Sequence, residues 1–90
     1  MALQETLIKK LEYQIFTWQK QIDKAKAEAR RKQDFAENDD AIDKIEQELQ
    51  EYVQRIERNL AAARKKIEEV READDKKLIK LKKQISDWVD

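Results

Sequence analysis

The densest group of chemically capable side chains is acidic: Glu37, Asp39, Asp40 and Asp43 follow one another closely. Carboxylates this close can ligate a hard divalent cation, but an EF-hand loop needs a glycine at its sharp turn and ligands at set positions. Neither is present. The four read instead as the solvated start of a helix, where acidic side chains face the positive end of the dipole. A di-metal site between facing helices depends on Glu-x-x-His pairs, and the chain has no His. Without His or Cys, no Ser/His/Asp or Cys/His arrangement can form, and without Gly there is no glycine-rich phosphate loop. No metal, no cofactor and no enzymatic activity are expected.

Two basic stretches come next. Lys24, Lys26, Arg30, Arg31 and Lys32 are interrupted by Glu28, followed by Asp34, and spread around a helix as a solvated face. Lys76, Lys77, Lys80, Lys82 and Lys83 instead surround an apolar stripe of Leu78, Leu81, Ile85 and Trp88, closing with Asp87 and Asp90. That is a basic amphipathic helix, suited to a partner helix; the alternative is an anionic membrane or a nucleic acid. Twenty basic and twenty acidic residues cancel over the chain. A general binder of polyanions carries a surplus of cations, so nucleic acid and membrane are not the expected partners.

The elements that must position these groups are helices. The 90 residues contain no Gly and no Pro, the residues that end helices and shape turns, and 44% are charged. Ile8, Leu11, Ile15, Trp18, Ile22, Ala25 and Ala29 recur at alternating steps of three and four, one seam of a helix. Leu7 and Phe16 widen that stripe. A second series runs Ile42, Ile45, Leu49, Val53, Ile56, Leu60, Ala63, Ile67 and Val70, then through Asp74 to Leu78, Leu81, Ile85 and Trp88. Between the two, Glu37-Asn38-Asp39-Asp40 is the best turn: Asn tolerates the left-handed conformation when Gly is missing, and Asp caps a following helix. Asp74 sits on the second seam and marks either an exposed stretch or a further boundary.

An antiparallel hairpin is expected, with facing residue numbers adding to about seventy-eight, so that Trp18 meets Leu60 and Ala25 meets Val53. Charge divides along the same boundaries: residues 1–36 carry a net +3, 37–75 a net −6 and 76–90 a net +3. Such alternation suits antiparallel packing within or between chains and selects partners more than it stabilises.

The run Leu7-Ile8-Lys9-Lys10-Leu11-Glu12-Tyr13-Gln14-Ile15-Phe16-Thr17-Trp18, then Ile22-Asp23-Lys24-Ala25 with Ala27 and Ala29, resembles small, highly charged bacterial coiled-coil proteins of unknown function. The resemblance covers about the first third and implies a natural bacterial coiled coil. It brings no catalytic or binding residues.

The expectation is thus an all-α single domain over residues 1–90: a helix over 2–36, a turn at 37–40, and a long helix over 40–89. A break near 74–75 would give a short third helix. A two-helix hairpin buries one stripe per helix, too little to offset the entropy of ordering the chain, so assembly into a helical bundle is expected, with a homodimer favoured. Leu78, Leu81, Ile85, Trp88, Tyr13 and Phe16 are the expected protein-interaction residues. The function expected is structural or scaffolding, through self-association and protein contacts. The opening Met1-Ala2-Leu3-Gln4-Glu5 has neither the basic nor the apolar region of a secretory signal, and the apolar runs are short. A cytoplasmic protein is the default expectation.

Overall fold

The computed structural model describes residues 2–89; the terminal Met1 and Asp90 lie outside it. Its elements are α1 (Ala2–Asp34), α2 (Asp39–Glu72) and α3 (Asp75–Val89), and no strand is present among the described residues. The fold is an antiparallel hairpin of two long helices with a short third helix folded back against its open end. The molecule measures 58 × 18 × 16 Å.

With no glycine available, each chain reversal is made by side-chain capping. Helix α1 ends in a tightened turn, where Phe35 and Ala36 donate to the carbonyls of Lys32 and Gln33. Asn38 is then the N-cap of α2: its backbone is extended (φ −152°, ψ 167°) and its Oδ1 accepts from the Ala41 N–H at 2.8 Å. Asp39 and Asp40 follow in the first turn, where the dipole favours them. The left-handed turn expected from Asn does not occur, since no described residue has positive φ. The extended cap reverses the chain without it.

The long second helix expected over 40–89 is interrupted. Helix α2 stops at Glu72, and Ala73 leaves in extended conformation (φ −80°, ψ 141°) with its N–H still donating to Val70 O. Asp74 repeats the role of Asn38, its Oδ1 accepting from the Lys77 N–H at 2.9 Å. Gln4 of α1 completes the junction: its Nε2 donates to the carbonyls of Val70 (3.0 Å) and Arg71 (2.9 Å). The last carbonyls of a helix lack the regular bonds of its interior, and here a side chain from the opposite helix of the hairpin helps to satisfy them, beside the Ala73 N–H on Val70 O.

Gln4 also fixes the register. Its two acceptors put facing residue numbers at sums of 74 and 75, one helical turn short of the expected value. Nearer the turn, Ala25 and Ala29 of α1 and Ile45 and Leu49 of α2 line one furrow. Large residues therefore oppose small ones there, as interdigitation requires. The turn lies earlier in the chain than expected, because α1 ends at Asp34 rather than at 36 and α2 already begins at Asp39.

The core is one cluster near the open end, made of Leu7, Leu11, Trp18 and Ile22 of α1, Ile56, Leu60, Ala63, Ile67 and Val70 of α2, and Leu78, Leu81 and Ile85 of α3. Leu11 and Ile85 are 0% exposed. Only with α3 in place can residues so near the edge of a two-helix pair lose all contact with water. The indoles of Trp18 and Trp88 close the cluster, 5.4 Å apart and tilted at 58°, within the range favoured by aromatic pairs.

Candidate protein-binding groove

Helix α3 has 15 residues and spans about 22 Å at 1.5 Å per residue, whereas α1 and α2, with 33 and 34 residues, reach about 50 Å. The third helix therefore runs out near Trp18. From there to the turn the molecule is two helices wide, and the furrow between them is open. This furrow is a groove of about 560 Å³.

Its floor is apolar: Ala25 and Ala29 from α1, Ile45 and Leu49 from α2. Gln21, Lys24, Glu28 and Lys32 form one bank, Glu48 and Tyr52 the other. The second apolar series, buried from Ile56 to Val70, is only half-buried at Ile42, Ile45, Leu49 and Val53. The pattern is the same in both stretches; what differs is the covering helix.

The groove continues the seat of α3. Ala25 and Trp18 are seven residues apart on α1, and Trp18 touches Trp88 of α3. On α2, Tyr52, Asn59 and Lys66 are successive sevens, and the Lys66 Nζ donates to Gln84 Oε1 of α3 at 3.0 Å. Residues seven apart share a helix face. The face that binds α3 at the open end is thus the face left bare near the turn.

Of the residues singled out from sequence, Leu78, Leu81 and Ile85 are buried against the chain's own α1 and α2. A hydrophobic stripe that reads as an intermolecular surface is satisfied within the chain because α2 breaks at Ala73. Trp88 joins Trp18 and keeps 36% of its surface exposed. Tyr13 and Phe16 stand exposed on α1, with the Lys20 Nζ 4.5 Å from the Phe16 ring centroid, a cation–π contact. They do not join the groove. Phe35, 81% exposed, sits at the turn. Sequence reasoning passed over Tyr52, Leu49 and Ile45 as a site. The usable signal was the broadening of the stripe at Leu49, Tyr52 and Val53, more apolar surface than one facing helix covers.

Asp39 and Asp40 are exposed in the first turn of α2, and among the described residues no three His, Cys, Asp or Glu side chains are grouped to hold a metal ion. Lys66 pairs with Glu69 and Arg71 with Glu68, each three residues apart along α2. The first is half-buried and the second exposed, and ion pairs open to water in this way contribute little. No described helix is long and apolar enough to cross a membrane. Comparison with protein-family models, with curated proteins and with solved structures finds no match.

Proposed function

We propose that this chain is a non-enzymatic structural or scaffolding module that acts through helix–helix contacts with other polypeptides. The observation that carries this reading is the mismatch in length between α3 and the hairpin. It leaves an apolar floor of Ile45 and Leu49 half-exposed beside Tyr52, on the face already used to seat a helix. Half-covered apolar surface rimmed by charge is the usual mark of a protein-interaction site. Self-association remains part of the proposal, but not through Leu78, Leu81 and Ile85, which the chain's own core occupies.

Burial of those three residues also weakens the alternative of a peripheral binder of membrane or nucleic acid through residues 76–90. An interfacial helix binds by inserting its apolar face, and here that face is turned inward. What α3 offers to solvent is mostly lysine, with Ile79 and one edge of Trp88 as its exposed large apolar side chains.

A photo-crosslinking side chain placed at Tyr52, compared with one at Ile79, tests the reading in cells of the native host. Crosslinks to a defined polypeptide from position 52, lost on adding Leu49→Glu, are expected. The outcome against it is no polypeptide at position 52 together with retention on anionic vesicles or a polyanion column that Lys76→Glu/Lys80→Glu/Lys83→Glu abolishes.

A further inference from the structure

We infer that the bare half of the groove receives a single amphipathic helix from a different protein, about four turns long and seated end to end with α3. This rests on the reading that the chain works through helix contacts, and it names the partner's chemistry. Three observations support it. The seat is continuous with that of α3, an intramolecular helix already packed between the same two helices. The uncovered length from Trp18 to the end of α1 is about 24 Å at 1.5 Å per residue, close to the length of α3 itself. The floor residues Ala25 and Ala29 are small and leave room for large incoming side chains.

A second copy of this chain fits the same space poorly, for a steric and an electrostatic reason. Two molecules meeting groove to groove cannot point the same way, because each carries α3 on that face and the two would collide. They must run antiparallel, and the two-fold axis then lays α1 on α1 and α2 on α2. Residues 39–55 of α2 carry six acidic and two basic side chains, so a net −4 would meet its own copy. Like charges set side by side across an interface disfavour that pairing.

A single helix between the banks meets opposite charge on its two flanks. The α1 bank presents Lys24 and Lys32, with Glu28 between them, and residues 19–36 carry six basic and three acidic side chains, a net +3. The α2 bank presents Glu48 on its acidic segment. The complementary helix has leucine-like residues at steps of three and four, carboxylates on the flank over Lys24 and Lys32, and a cation on the flank over Glu48. Such a helix carries both signs of charge, one on each flank, which separates it from a polyanion.

The test uses the full chain, isotope-labelled for amide spectroscopy, and two 16-residue helical peptides with the same Leu/Ile stripe. One has Glu along one flank and Lys along the other; its control has Gln on both. Shifts confined to residues near Ala25, Ala29, Ile45, Leu49 and Tyr52 are expected. Lys24→Glu/Lys32→Glu, both exposed positions, should weaken the charged peptide about fivefold to tenfold and leave the Gln peptide within about twofold. Shifts elsewhere, no binding, or equal sensitivity of both peptides overturns the inference. So does a concentration-dependent dimer in sedimentation that Leu49→Glu dissolves, since a second copy would then fill the groove. Failure here with persistent crosslinks at Tyr52 overturns the partner chemistry alone; loss of both removes the proposed function as well.

Discussion

The two halves of this rod have the same kind of sequence and different environments. Near the open end, three helices enclose Leu11, Val70 and Ile85 completely; near the turn, two helices leave Ile42, Ile45, Leu49 and Val53 half in water. Apolar spacing at three and four continues through both. A heptad pattern therefore specifies which face of a helix is apolar, and not whether that face is filled. The filling depends on where the chain breaks, and here one two-residue junction, Ala73-Asp74, decides it.

Core truncation should separate the halves most strongly. Leu11→Ala or Ile85→Ala is expected to cost about 3 kcal/mol, because each removes fully enclosed methyl groups and leaves a cavity, whereas Leu49→Ala should cost about 1 kcal/mol, since water already reaches its site. Denaturant unfolding of the three variants checks this, and equal losses would mean that the turn half is as well covered as the open end.

Capping gives the next effect. Asn38→Ala and Asp74→Ala each remove an accepted backbone hydrogen bond and should each cost about 1 kcal/mol. Their structural consequences differ. Loss of Asp74 frees α2 and α3 to merge into one helix and should raise Trp88 exposure, read as increased quenching of indole fluorescence by acrylamide, while loss of Asn38 should leave it unchanged. The smallest stability change is at Gln4: Gln4→Ala should cost about 0.5 kcal/mol, the low end for hydrogen bonds made by a partly exposed side chain. Amide exchange should quicken around the α2–α3 junction and not at the turn.

Much of this architecture could be read from the residues. The seams of α1 and α2 follow from their spacing, and the turn follows from Asn38 and its two aspartates. The break before α3 was harder, because Val70, Asp74 and Leu78 are spaced four apart and fit an unbroken helix equally well. Yet Asp74-Asp75 repeats the logic of Asn38-Asp39: a short polar cap followed by acid in the first turn. The register differs because it depends on the residues at which α1 ends and α2 starts, Asp34 and Asp39, and a propensity argument does not resolve those. The groove was the least legible part. Leu49 looks like an ordinary seam residue and Tyr52 like its neighbour until the length of α3 shows that the third helix stops short of them.

The central claim is that one end of the rod is a closed three-helix core and the other an open seat. Residue-resolved amide exchange on the isolated chain, at a concentration where sedimentation shows a monomer, tests it most directly. The amides of Ile56, Leu60 and Ile67 should exchange only through global unfolding, and those of Ile45, Leu49 and Tyr52 through local opening, at least about tenfold faster. Uniform protection along α2 would contradict the account, since a half-covered helix cannot be held as firmly as an enclosed one.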